Sequence, residues 1–314
     1  MFDNVLETSS FVVNHALHVK INYSKVNDLI EELWKFKYIH YLAKVPYDIY
    51  HMSTKNGINF LLIYDSINFS FWGDPKWTID ENGKQLDGGM ALLHCIFHLF
   101  NGRDSVDVYK QLEHMTFEEF KTLLKGNIDI PLLEERYRIV TEISKIVNEK
   151  MHGNFYGFIE GLYTDNEIFS CIIRHFGCFE DTRTYEGKKI FFYKLAQLLT
   201  SDILHVIEEK EQKKVDYTNL VGCADYKIPQ VMRSLGILEY DDELASFVDT
   251  KTEIEENSRY EVEIRSSMIV VIHWIWKTLD KRMARIHIND FFWSKGQDQV
   301  QTCLPYHLTR TTSY

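Results

Sequence analysis

Two short segments carry residue types that could form a binding and reaction site. Residues 68–77, NFSFWGDPKW, set Phe69, Phe71, Trp72 and Trp77 around Asn68 and Asp74. Flat aromatic faces beside a few polar groups suit a planar heterocycle, which needs stacking area and orienting hydrogen bonds. Residues 224–236, ADYKIPQVMRSLG, place Asp225 and Tyr226 just ahead of Pro229, with Gly236 behind. Proline is well placed at the first position of a helix and glycine at its end, so a short helix starting at Pro229 is predicted with Asp225 in the turn leading into it. A carboxylate fixed there can stabilise a cationic transition state and take a proton from water. The same Asp225 can equally cap the helix or pair with Lys227.

Further candidates carry competing readings. Lys194 sits in an apolar segment, Phe191 to Leu199, either as a pocket cation or as a surface lysine with a buried stem. Glu263 and Arg265 precede the apolar run MIVVIHWIW (268–276) and are either an ion pair or binding groups. His307 and Arg310 are either an anion clamp or surface residues. No His/Cys cluster shows zinc spacing despite 13 histidines. Phosphate-cradling glycine loops, a GxSxG elbow and a dense aspartate run are absent too. Neither a metal nor a cofactor is expected.

The elements that must hold these residues read mostly as helices. Val26, Leu29, Ile30, Leu33 and Trp34 follow one amphipathic spacing. Residues 58–72, rich in Ile, Phe and Tyr without clear alternation, predict one or two strands. Gly88-Gly89 opens a helix through Leu99. Thr116 with Glu119 forms a capping box, and Pro131 starts another helix. Helices follow over 166–176 and 189–208, then a solvated loop over 208–216. Ser258 with Glu261 makes a second capping box before the long apolar helix. The expectation is a mainly α, single compact domain over residues 1–314 with a minor β element.

Composition sets the outer bounds. The 314 residues are 45% hydrophobic and hold only 15 Gly and 5 Pro, which favours a large core over a loop-rich chain. A formal charge of −11 works against a surface built for polyanionic nucleic acid, though not against one phosphate in a pocket. Five scattered cysteines without a CxxC pair predict reduced thiols and a cytoplasmic setting. The N-terminus lacks a secretory pattern, and a nine-residue apolar run cannot span a bilayer.

Six ordered segments resemble the queuosine salvage family, the queuosine 5′-phosphate N-glycosylase/hydrolases. They are INFSFW (67–72), IPLLEER (130–136), FYKLAQ (192–197), ADYKIPQVMRSLGIL (224–238), SRYEVEIR (258–265) and PYH…RT..Y (305–314). The resemblance implies a fold similar to the helix-hairpin-helix DNA glycosylases. It implies release of queuine from queuosine 5′-monophosphate, a small-molecule nucleotide, with no direct nucleic-acid or membrane partner. It makes Asp225 and Lys194 catalytic, and Asn68, Phe69, Trp72, Tyr226, Glu263, Arg265, His307 and Arg310 substrate-binding. Lys194 is expected to act as a cation that orders Asp225 or the phosphate, not as a Schiff-base amine. The chain departs from the family pattern at Leu195, at Gly88-Gly89-Met90 and at Leu308. Two other readings stand beside this one: a glycosylase acting on a base within a polynucleotide, and a non-catalytic queuine or nucleotide carrier.

Overall fold

The apolar residues too evenly spread to mark a helix face, those of residues 54–66, form a deeply buried helix. The computed structural model describes residues 2–314 except 46, 48 and 299–302. In chain order the first elements are α1 (Phe2–His15), β1 (Val19–Ile21), α2 (Tyr23–Asn27), α3 (Ile30–Lys35) and α4 (Thr54–Ser66). Then come β2 (Thr78–Glu81), β3 (Lys84–Asp87), α5 (Gly88–Phe100), α6 (Ser105–His114), α7 (Phe117–Leu123), α8 (Leu133–Met151), α9 (Phe155–Ile159) and α10 (Asp165–His175). The last are β4 (Thr182–Tyr185), β5 (Lys188–Phe191), α11 (Lys194–Glu211), α12 (Lys227–Ser234), β6 (Leu238–Tyr240), α13 (Asp242–Asp249), α14 (Arg259–Thr278) and α15 (Arg285–Asp298). The fold is mainly α, as expected, and its strands form three two-stranded antiparallel ribbons: β1 with β6, β2 with β3, and β4 with β5.

Helix α4 corrects the strands expected over 58–72. Every residue from Gly57 to Ser66 is buried, with α11, α9 and α5 packed around it. A helix enclosed on all sides needs no polar face and so shows no 3.6-residue period. Its start is nonetheless written locally, since Ser53 accepts a hydrogen bond from Asn56 N. The amphipathic run 26–34 divides into α2 and α3, and Trp34 stays exposed. The Thr116–Glu119 capping box forms with both of its hydrogen bonds. At α14 only half of the second box forms. Ser258 accepts from Glu261 N, but the Glu261 carboxylate accepts instead from Asn257 N and from two arginines. The apolar run 268–276 lies inside α14. Among the described residues no helix is long and apolar enough to cross a membrane.

Glu263 serves this framework and not the cavity. Its buried carboxylate accepts hydrogen bonds from the backbone N–H groups of Leu17, His18 and Val19, at 2.7–3.1 Å, and from the Tyr185 hydroxyl. It therefore satisfies the donors where the chain turns from α1 into β1. Glu263→Ala would leave several buried donors unpaired and is expected to cost roughly 2–4 kcal/mol. The midpoint of urea unfolding measures this, and an unchanged midpoint would refute the structural role.

Candidate active site

Segments 68–77 and 224–236 meet at one cavity. Its volume is about 360 Å³, and its walls include Asn68, Phe69, Lys194, Asp225 and Tyr226. Five of the ten residues singled out from the sequence thus come together from three distant stretches of chain.

Asp225 stands at the entrance to α12. Its Oδ1 accepts hydrogen bonds from Lys227 N (2.9 Å) and Ile228 N (3.0 Å), so one oxygen caps the helix. Among the described residues Oδ2 accepts none. Capping and chemistry are therefore compatible, because they use different oxygens. Burial raises the Asp225 pKa, and Lys194, the two backbone donors and Lys227 only partly offset that. Pro229 is the third residue of α12 rather than its first, still within the turn whose N–H groups lack partners. Gly236 ends the helix at φ +70°, where a side chain would be strained.

The loop that delivers Asp225 is tied down at three points. Gln197, buried in α11, accepts from Val221 N (2.8 Å) and donates to Gly222 O (2.9 Å). Asn289 accepts from Cys223 N (2.8 Å). Arg265 donates through Nε to Ala224 O (2.8 Å). Arg265 also forms a two-pronged pair with Asp181, at 3.0 and 2.6 Å. Asp181 in turn accepts from Lys194 N at the start of α11. Burial works against the Asp181 charge, but Arg265 and Arg183 outweigh it and hold its pKa below the usual range.

Lys194 donates from Nζ to the carbonyl of Asn68 (3.0 Å), joining α11 to the aromatic segment. No direct ion pair with Asp225 forms. Two deeply buried carboxylates, Asp65 and Asp202, also feel its charge. Burial raises both of their pKa values, and the repulsion from Asp202 pushes Asp65 further. Tyr41 donates to Asp202, whose other oxygen lies 3.2 Å from His40 Nε2.

The aromatic segment is propped from behind by Arg136 of the IPLLEER motif. Its guanidinium donates to the carbonyls of Ile67, Phe69 and Ser70, and sits 4.2 Å from the Phe69 ring centroid. Ser70 adopts φ +40°, a costly conformation for a residue with a side chain. It is pinned by a backbone hydrogen bond from Ser70 N to Tyr314 O (2.9 Å) and by Ser70 Oγ donating to Thr311 O (2.7 Å).

Five residues expected to touch a ligand lie elsewhere, each for a visible reason. Trp72 points away and donates from Nε1 to Thr309 O (3.3 Å), packing the C-terminal tail. Arg310 is outside, paired with Glu253 (2.8 Å) and stacked on Trp72 (4.5 Å). His307 is buried beneath Tyr314, with Nε2 3.3 Å from its hydroxyl. Arg265 lies behind the wall, its guanidinium carbon 4.2 Å from the Tyr314 ring centroid. Glu263 and Arg265 do not pair with each other.

Other wall residues had gone unassigned. Trp293, Asp290 and Asn289 come from α15, and Tyr306 and Tyr314 from the tail. The helical spacing of Asn289, Asp290 and Trp293 was the available signal, but nothing local says which face of α15 meets a cavity. Lys227 and Lys76 bring positive charge to one side. Burial and the neighbouring Lys76 lower the Lys227 pKa, and its Nζ lies 4.8 Å from the Tyr306 ring centroid. Among the described residues one grouping of metal-ligand types lies outside the cavity. His94 and His98, one helical turn apart, lie beside Glu81.

Comparison with known proteins places the chain. The family described as queuosine salvage protein matches residues 49–314. A Sphaerobacter thermophilus protein named queuosine 5′-phosphate N-glycosylase/hydrolase is 33% identical over 261 residues, 82% of this chain and 81% of its own length. Proteins of the same name from Dictyostelium discoideum and Mus musculus are each 26% identical. The first alignment covers 99% of this chain and 98% of the relative, the second 98% of each.

The two tryptophans separate wall from core. Trp72→Ala is expected to cost about 3–5 kcal/mol of stability, as for other buried aromatic truncations. Trp293→Ala, at a half-buried wall position, should cost clearly less. Denaturant midpoints of the two variants decide it, and equal midpoints would place Trp72 and Trp293 in the same environment.

Proposed function

The chain belongs to the queuosine salvage protein family, and from that premise we propose that it hydrolyses the N-glycosidic bond of queuosine 5′-monophosphate, releasing queuine for reuse in transfer RNA. The observation that carries this reading is Asp225: a buried carboxylate with one oxygen locked by a helix entrance and the other unengaged beside an aromatic cavity.

The chemistry follows from where charge develops. As the bond from C1′ to the base nitrogen breaks, its electron pair leaves with the base and positive charge grows on C1′ and the ring oxygen. The Asp225 carboxylate stabilises that charge. It then accepts a proton from the water whose oxygen bonds to C1′, and the departing base nitrogen takes up one proton, through solvent from Asp225, so that neutral queuine leaves and the carboxylate is restored. A 7-deazapurine lacks N7, so protonation there cannot help it leave. Its departure depends on hydrogen bonds elsewhere on the base, for which Asn68, Asn289 and Asp290 are available in the wall. Phe69, Phe71 and Trp293 supply flat surface. Lys194 acts by holding Asn68 in place and by its charge among the carboxylates, which needs no metal at the reacting atoms. His307 and Arg310 are replaced as phosphate ligands by Lys227 and Lys76. Binding an anion there would relieve their mutual repulsion.

The same reading takes residues 1–314 as one domain, which its continuous hydrophobic core supports. It takes the setting as cytosolic, supported by five free cysteines. It keeps the likeness to helix-hairpin-helix DNA glycosylases as a likeness of fold. A polynucleotide substrate is disfavoured by the net charge of −11.

Asp225→Asn should lower turnover on the order of a thousandfold without unfolding the protein. Because the Asp225 pKa is raised and the working form is the anion, activity should fall as pH drops through a value above the ordinary carboxylate range. Near-normal release of queuine by folded Asp225→Asn would remove the mechanism.

Lys227→Met separates phosphate binding from chemistry. It should lower kcat/KM for the 5′-monophosphate roughly tenfold or more, and that for the nucleoside much less. An equal loss on both substrates would move the phosphate elsewhere.

A further inference from the structure

A second group of chemistry-bearing side chains lies outside the cavity, where the β2–β3 hairpin meets α5. His94 and His98 are four residues apart on α5 and share a face, with ring centroids 4.4 Å apart. Glu81, at the end of β2, reaches the same spot, and its Oε2 lies 3.3 Å from His94 Nε2. One nitrogen from each imidazole and one Glu81 oxygen all fall within 4.8 Å of one another. None of the three lines the substrate cavity.

Two imidazoles and a carboxylate are the donor set of zinc and similar borderline divalent ions. Metal–ligand distances of about 2.0–2.2 Å put neighbouring ligands of a tetrahedron roughly 3.3–3.6 Å apart. The Glu81–His94 pair is already at that spacing. His98 is exposed, and its ligand nitrogen lies within 4.8 Å of the other two donor atoms. His94 also has the outer contact typical of a metal-binding imidazole. The Tyr47 hydroxyl lies 2.7 Å from its Nδ1, which fixes the ring and directs Nε2 toward Glu81 and His98. His94 and Glu81 keep part of their surface in solvent, so an ion has a path in.

We propose that Glu81, His94 and His98 bind one zinc-class divalent ion, with water completing the shell, and that this ion clamps the β2–β3 hairpin to α5. The clamp would act on the cavity from outside. β3 ends at Asp87 and α5 begins at Gly88, and both residues, with Gly89 and Met90, line the wall. The ion takes no part in bond breaking. Its role is to hold the wall that carries the glycine turn, whose close approach is visible at Gly89. A Cβ there would lie 3.3 Å from the Tyr64 hydroxyl.

The test uses the whole protein, stripped of metal with a chelator and titrated with zinc chloride alone. The expected result is one equivalent bound and a melting temperature raised by about 3–5 °C at saturation. His98→Ala and Glu81→Gln should each lose the shift. His114→Ala, an exposed histidine on α6, should keep it. With cobalt in place of zinc, the bound ion should absorb as a nitrogen and oxygen complex without a thiolate charge-transfer band, which excludes the five cysteines. Failure of wild type to bind one equivalent, retention of the shift in both ligand variants, or a thiolate band would each overturn the proposal. None of these readouts depends on turnover, so they stand apart from the fate of the hydrolase reading.

Discussion

The buried pair between Arg265 and Asp181 is the contact on which the site's geometry depends. Arg265 Nε holds the carbonyl of Ala224, next to Asp225, while Asp181 Oδ2 holds the backbone N–H of Lys194. One ion pair thus fixes the two segments that carry the proposed carboxylate and cation. A buried pair of this kind is a poor source of stability, because removing two charges from water costs about as much as their attraction returns. What it supplies is position. Glu261 and Arg183 extend it into a buried group of four charges, each with more than one partner, and Glu256 joins it through Arg183 at the surface. Removing one member would leave one net charge uncompensated in a low-dielectric interior.

The cavity is expensive to build in other ways. Tyr193 at φ +53° precedes Lys194, and Ser70 at φ +40° follows Phe69. Left-handed backbone at residues with side chains costs of order 1 kcal/mol or more each and persists only where the surroundings enforce it. Here the enforcement is explicit: Asp181 O accepts from both Phe192 N and Tyr193 N, and the C-terminal tail pins Ser70. Asp65, Asp202 and Asp225 are all pushed toward their neutral forms by burial, with Lys194 as their shared counter-charge. A group of buried carboxylates gathered around one ammonium is unfavourable for folding. The rest of the molecule offsets the cost through a continuous apolar core centred on α4, α11 and α14.

The tail illustrates how one segment can carry residues of opposite fate. Tyr306 and Tyr314 face the cavity, while His307 and Arg310 between them do not. Burial drives the His307 pKa down to about 3, with Arg265 nearby adding to the shift, so it is a neutral packing residue at any working pH. Arg310 remains in solvent, where it shields the Trp72 ring. Charge type alone did not distinguish a ligand clamp from a packed latch.

The sequence by itself determined those features whose physics is local. Thr116 and Ser258 mark helix starts because a side-chain oxygen reaches an N–H three residues on. Asp225 ahead of a short helix, Lys194 and the 68–71 aromatics were legible because motif and local geometry agree there. Only the tertiary structure decided which side of a buried segment meets the cavity. Trp72 and Trp293 are chemically alike, and their roles are assigned by packing against Thr309 and by the turn of α15. Helix α4 read as strand because full enclosure erases the periodicity that identifies a helix. Arg265 and Glu263, two residues apart on α14, stand on different faces, one behind Ala224 and Asp181, the other under the α1–β1 turn. Glu81 meets His94 and His98 only because a hairpin folds back onto α5. Such juxtapositions join residues distant in sequence, and no spacing along the chain encodes them.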